Sequence, residues 1–119
     1  MKGFGLVLER LPSGAVCLLL RGELDFEHAY TFDEELQGIE RARPPCIVLD
    51  LRQLSFVDSC GMGRLLAARR RALRAKRRLL LIRGGQAIDR LLALTRLEDE
   101  FEIVRDLPSE LMLEPSPRV

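Results

Sequence analysis

The chain has 119 residues, and its 19 Lys and Arg against 18 Asp and Glu leave a formal charge of +1. That length suits a single domain burying roughly two-thirds of the surface that its unfolded chain exposes, and 47% hydrophobic with 31% charged residues is ordinary globular composition. Near-neutral charge excludes a polyanion binder acting through net charge, and the apolar runs Val16–Leu20 and Leu79–Ile82 are far shorter than the ~20 residues of a membrane span.

From the N-terminus, Met1-Lys2-Gly3-Phe4-Gly5 has neither a long hydrophobic stretch nor a small-residue cleavage site, so no secretory signal is read and a cytoplasmic protein is expected. Phe4–Arg10 reads as a strand. Pro12-Ser13-Gly14 is turn chemistry, so Ala15–Arg21 returns as the second arm of a hairpin. That arm is too continuously apolar for a half-solvated strand and belongs at the centre of a sheet. Gly22-Glu23-Leu24-Asp25 closes it. Ala29, Phe32, Leu36 and Ile39 form one stripe at helical spacing, with Asp33, Glu34 and Glu35 early in the helix. Pro44-Pro45 ends that helix, and Cys46–Asp50 is a buried strand followed by a short polar turn.

The next helix starts within Ser55–Ser59 and runs to about Lys76, with Met62, Leu65, Leu66, Ala72 and Leu73 on its apolar face. Ser55 and Asp58 have capping-box-like spacing, and either Asp58 or Ser59 serves as the N-cap. Leu79–Ile82 is another buried strand, closed by Gly84-Gly85. Ile88, Leu91, Leu92 and Thr95 mark a short amphipathic helix, Phe101–Val104 a last strand, and the tail from Pro108 is expected to be loosely attached. The order is β-β-α-β-α-β-α-β, an α/β fold with a mixed sheet and helices packed against it.

Cys46–Leu66, CIVLDLRQLSFVDSCGMGRLL, carries the most information. It places a serine hydroxyl, Ser59, at a helix N-terminus, where backbone N–H groups and a partial positive charge favour an anion. Gly61 and Gly63 keep the first turn free of side-chain bulk, so another protein can approach. A phosphate on Ser59 would be tolerated by its own helix, while adding about −1.5 to −2 charge beside Asp58. On pattern alone, Asp58 and Ser59 are equally read as simple caps. No catalytic residue is assigned: the serine is not in a GxSxG setting, one histidine, His28, is available as base, and Gly61-Met62-Gly63 lacks the residues of a phosphate loop. Cys17, Cys46 and Cys60 are odd in number without CxxC spacing, so no disulfide framework, metal site or cofactor is expected.

Together, Gly22-Glu23-Leu24-Asp25 and the following block resemble the STAS domain, specifically bacterial anti-sigma factor antagonists. The family pattern is roughly D-L-x-x-(V/L)-x-F-(I/M/V)-D-S-(S/A)-G-(L/M)-G-x-L-L. Asp50, Leu51, Leu54, Phe56, Val57, Asp58, Ser59, Gly61, Met62, Gly63, Leu65 and Leu66 match it. The resemblance extends over residues 4–107, and it implies a STAS domain over residues 1–107 with residues 108–119 as a tail. It implies a switch protein rather than an enzyme. The unphosphorylated form would bind an anti-sigma factor that is itself a serine kinase, releasing the sigma factor. Phosphorylation of Ser59 would end that binding, and a PP2C-type phosphatase would reset the switch. Asp25, Asp58 and Gly61 would then surround the phosphosite, and Cys60, Met62, Gly63 and Arg64 would face the partner. A monomer or weak dimer is implied, with no direct nucleic-acid contact. The alternative within the same fold is an accessory subunit of a lipid-transport ABC system, binding its ATPase without phosphorylation; a scaffold domain of a larger stress-signalling assembly is a third reading.

The chain departs from the family pattern in places. Cys60 replaces a serine common among relatives, and Arg74-Ala-Lys-Arg-Arg78 replaces a glycine-rich turn. Thr95-Arg96-Leu97 stands where relatives often have Ser-Gly-Leu, which disfavours a left-handed cap there. Cys60 at a helix start is either neutral packing or a redox-sensitive thiol, Cys17 and Cys46 are read as inert strand residues, and His28 as solvated. Charge is polarised: residues 23–40 hold seven acids and no Lys or Arg, while residues 64–83 hold nine bases and no acid. The basic stretch reads as a solvated helix face or as a docking surface for an acidic partner. Nucleic acid and anionic lipid are disfavoured, since no aromatic residue interleaves the bases for stacking.

Overall fold

Every residue of Cys46–Leu51 is buried, the pattern of a strand covered on both faces. In the computed structural model, which describes residues 3–115, this strand is the centre of a five-stranded sheet in the order β1-β2-β3-β4-β5. The strands are β1 (Phe4–Arg10), β2 (Val16–Leu24), β3 (Cys46–Val57), β4 (Arg78–Ile82) and β5 (Glu102–Val104). The helices are α1 (Phe26–Arg41), α2 (Ser59–Ala75) and α3 (Gln86–Leu94), so the element order is the one the sequence implies. β1 pairs antiparallel with β2, and all other neighbours are parallel. Among the described residues, no helix is long and apolar enough to cross a membrane.

Alternation along the strands defines two cores. Ile47, Leu49 and Leu51 of β3, with Leu18, Leu20, Leu24 and Leu81, meet Phe32 and Leu36 of α1, Met62, Leu65 and Ala68 of α2, and Ile88 and Leu92 of α3. All three helices therefore lie on one face. The other face carries Cys46, Val48, Leu80 and Ile82, and what covers it is Leu11, Ala15 and Leu111. This overturns the expectation of a loose segment immediately after Pro108. Ser109–Met112 forms a 3-10 turn with Leu111 buried, Ser13 N–H donates to the Leu111 carbonyl, and Glu110 pairs with Arg78 at 3.4 Å. An apolar second face needs a cover, and the C-terminal segment supplies it. The last residues of the expected tail, 116–119, lie outside the described residues.

Four further expectations are corrected. The polar turn after Asp50 is strand: β3 continues to Val57 and pairs with Gly22–Leu24 across two register irregularities. Ser55 is thus not part of a capping box; its Oγ donates to the Gly22 carbonyl. Leu73, assigned to the apolar face of α2, is 60% exposed. Arg96 adopts the left-handed conformation that its missing glycine disfavours, with φ 57°. Thr95 ends α3 by donating from both its N–H and its Oγ1 to the Leu91 carbonyl, and the reversal at Arg96 returns Leu97 to the core.

Part of the polarised charge of the sequence is spent between α1 and α2. Arg71 holds Glu40 through two hydrogen bonds at 2.7 and 3.2 Å and pairs with the buried Asp33 at 3.0 Å, while Arg64 reaches Asp33 at 3.5 Å. Burial alone would lower the pKa of Arg71, but the Glu40 and Asp33 carboxylates reverse that and hold it above the usual arginine value. Removing one partner of a half-buried cluster leaves the others uncompensated. Arg71→Ala is therefore expected to lower the unfolding free energy by roughly 1–3 kcal/mol in denaturant melts, whereas Arg70→Ala, on an exposed base with no ion pair among the described residues, stays within about 0.5 kcal/mol.

Candidate functional site

The two most distinctive stretches of the sequence are neighbours in the sheet. Gly22 pairs with Leu54, Glu23 with Phe56, and Leu24 with Val57, so Asp25 and Asp58 leave the sheet side by side and each begins a helix. Asp58 is the N-cap of α2. Its Oδ1 accepts from the N–H groups of Cys60 at 2.9 Å and Gly61 at 3.0 Å. Its Oδ2 accepts from the Phe26 N–H of α1 at 2.8 Å, and its own N–H donates to the Leu24 carbonyl at 3.2 Å. One carboxylate thus fixes the starts of two helices. These hydrogen bonds, led by that from Gly61 and joined by those from Phe26 and Cys60, hold the Asp58 carboxyl below its ordinary value of 3.8.

Ser59 is therefore not a cap. It is the first residue of α2, exposed, and its Oγ makes no hydrogen bond to the described residues. Three of the first-turn amides expected to welcome an anion are already engaged: those of Cys60 and Gly61 by the Asp58 carboxylate, that of Met62 by the Asp58 carbonyl. An anion on Ser59 would face outward beside a carboxylate held in its charged form.

The two glycines divide their roles. A Cβ on Gly61 would collide with the Leu24 carbonyl oxygen and lie 2.8 Å from Leu24 Cγ, so Gly61 serves the packing of α2 onto β2 rather than a partner. A Cβ on Gly63 would meet nothing, which leaves that side open to a partner. Met62, Gly63, Ser59 and Asp58 border a groove of about 400 Å³ whose walls are otherwise Val57, Leu66, Leu91 and Thr95. Cys60 is exposed beside it. Arg64 points the other way, toward Asp33 of α1.

Asp25 caps α1, accepting from the His28 N–H at 3.1 Å and meeting its Nδ1 at 2.8 Å. His28 also stacks on Phe4, with ring centroids 5.6 Å apart, so it is a structural residue and not a freely solvated one. Asp25, Glu27 and His28 bring one potential ligand atom each within 4.8 Å of one another; the capping bonds already account for two of the three. Burial, helped by nearby Asp50, pushes the Cys17 thiol up to about 11, and burial raises Cys46 as well, consistent with unreactive strand thiols.

Sequence reasoning missed the apolar surroundings. Phe26 is 80% and Tyr30 71% exposed, four residues apart on one face of α1, and Phe56 is 47% exposed at the end of β3. All three belong to the end of the fold where α1 begins and β3 finishes, the end that carries Ser59. The signal was present only as a mismatch: Phe26 and Tyr30 fall outside the helical stripe Ala29-Phe32-Leu36.

The STAS domain family matches residues 9–109, and the chain belongs to that family. Among solved structures it resembles an anti-sigma factor antagonist from Mycobacterium paratuberculosis, with 24% identity, 88% of each chain covered and a TM-score of 0.80. A Thermotoga maritima protein has 23% identity, with 92% of this chain and 91% of that one covered and a TM-score of 0.78. The Bacillus cell fate determinant SpoIIAA in its phosphorylated form has 22% identity, covering 84% of this chain and 91% of that one, with a TM-score of 0.66. These likenesses are of fold.

Two outcomes follow from the geometry. Gly61→Ala forces Leu24 and α2 apart and is expected to cost about 1–3 kcal/mol in denaturant melts, while Gly63→Ala is neutral or slightly stabilising. Because the folded pKa of Asp58 is depressed, its contribution to stability is complete above 3.8 and is lost as pH falls below that value through the folded one. The stability difference between the wild type and Asp58→Asn, followed by thermal melts across that range, should shrink as the solution is acidified.

Proposed function

We propose that this chain is a phosphorylation-controlled anti-sigma factor antagonist. The unphosphorylated form binds an anti-sigma factor with serine kinase activity and so frees the sigma factor. Phosphorylation of Ser59 ends the complex, and a PP2C-type phosphatase restores it. The observation that carries this reading is an exposed Ser59 hydroxyl with no hydrogen-bond partner among the described residues, at the head of α2 and on the rim of an apolar groove. A kinase needs such a hydroxyl free, and a partner needs the apolar surface.

The engaged amides of the first turn give the switch a direction. A phosphate adds about −1.5 to −2 charge, and no free donor among Cys60, Gly61 and Met62 draws it back onto the helix. It stays at the surface, beside Asp58, where a closely packed partner would have to desolvate it. The fold survives and the interface does not. Phe26, whose N–H is held by Asp58, stands exposed at the start of α1 beside the start of α2, so the partner meets both helix starts.

The test is to incubate the protein with its cognate kinase and ATP and to map the phosphate by mass spectrometry. Phosphate on Ser59 alone is expected; phosphate elsewhere, or none where the two proteins bind, contradicts the reading. In the binding assay, Ser59→Ala should match the wild type and Ser59→Asp should bind at least about tenfold more weakly, ~1.4 kcal/mol. Equal affinities of the two variants would count against the switch.

A further inference from the structure

The nine bases of residues 64–83 do not form one surface. Arg64, Arg69, Arg71, Arg78 and Arg83 are paired with carboxylates of the fold. What remains includes Lys76 and Arg77, at the end of the sheet where α1 and α2 finish and β3 and β4 begin, opposite Ser59. There, a groove of about 650 Å³ is lined by Arg41, Arg43, Lys76 and Arg77. Its one acid, Glu40, is already held by Arg71 at 2.7 and 3.2 Å. Arg77 is fixed by carbonyls, its Nε donating to Pro44 at 3.1 Å and its Nη2 to Glu40 at 3.4 Å. Arg41, Arg43 and Lys76 have no ion pair among the described residues.

The backbone supplies a second observation. Arg43 follows α1 at φ 53° and Lys76 caps α2 at φ 54°, both in the left-handed region where glycine is the favoured residue. Two separate turns therefore place a long basic side chain where glycine would fold more easily, and both side chains line the same groove. Compensation of the helix dipoles explains a base in each last turn, Arg41 in α1 and Arg74 in α2. It does not explain cations held on left-handed backbone. Four like charges gathered without a counter-ion repel one another unless something negative joins them.

We propose that the groove between the α1–β3 and α2–β4 turns docks an acidic segment of a protein partner, independently of the Ser59 surface. The groove's chemistry favours dispersed carboxylates over the other anions. Compact phosphates are cradled by backbone N–H groups at helix N-termini or nests, whereas this groove lies at two helix C-termini, whose carbonyl ends repel a concentrated anion. No aromatic residue lines it, so it offers a nucleobase no stacking surface. Three of its four cations are arginines, whose planar forks match single carboxylates, as Arg71 on Glu40 and Arg78 on Glu102 already do in this chain.

The test uses a fluorescein-labelled hexaglutamate peptide and the full chain, read by fluorescence anisotropy at low salt. Saturable binding that weakens as salt is added is expected. The double variant Arg43→Gly/Lys76→Gly removes two charges and relaxes both turns, so it should lose affinity by about tenfold or more while melting at the same or a higher temperature. Arg70→Ala/Arg90→Ala removes the same net charge elsewhere and should keep its affinity. Absence of peptide binding, or equal loss in both double variants, would overturn the proposal. So would displacement of the peptide by inorganic tripolyphosphate, an oligothymidylate or phosphatidylserine vesicles at lower charge concentration than unlabelled hexaglutamate.

Discussion

The candidate site depends on how the Asp58 carboxylate divides its two oxygens. One oxygen holds the first turn of α2 through Cys60 and Gly61, and the other holds the first residue of α1 through Phe26. The strand ends they leave are already paired, and the Leu24 carbonyl accepts from the Asp58 N–H. The absence of a Cβ on Gly61 lets α2 sit directly on that carbonyl. Ser59 lies between these fixed points, so its exposure is enforced by its neighbours rather than by any contact of its own. The backbone at Ser59 is held from both sides while its hydroxyl makes no hydrogen bond to the described residues.

Charge works at two scales in this fold. The acidic stretch of α1 and the basic stretch of α2 meet through Asp33, Glu40, Arg64 and Arg71, so the polarity seen along the chain is first an internal adhesive. Some of what escapes this pairing gathers at the opposite end from Ser59, in Arg41, Arg43, Lys76 and Arg77. The molecule therefore has one end bearing the serine and a largely apolar groove, and a cationic end built from two strained turns. A near-zero net charge describes the balance of these parts and nothing about either one.

The element order and the sheet's central strands were legible because β2 and β3 are unbroken apolar runs and the helices carry clean stripes. The extension of β3 to Val57 was not, because Arg52, Gln53 and Ser55 are polar and point to solvent while the pairing with Gly22–Leu24 is made by backbone. For the same reason the sequence showed Gly-Glu-Leu-Asp and Asp-Ser-Cys-Gly as two separate signals, although they are adjacent strand ends. Ser59 and Asp58 were legible as a pair, but their division of labour was not: the Asp58 carboxylate that caps α2 also holds the N–H of Phe26, 32 residues away. Arg96 and Lys76 show the limit of turn chemistry, since tertiary packing placed both in a conformation their side chains disfavour. Leu111 was misread as tail because an uncovered sheet face cannot be seen in a linear pattern.

The central claim, that one carboxylate ties both helix starts, is tested most directly by amide hydrogen exchange in the wild type and Asp58→Asn. The variant keeps a single acceptor oxygen, which satisfies α2 as an N-cap and leaves α1 facing an N–H₂ group. Exchange at the Phe26 amide should accelerate, while the amides of Cys60, Gly61 and the β3–β4 core keep their protection. An unchanged Phe26 amide would contradict the account.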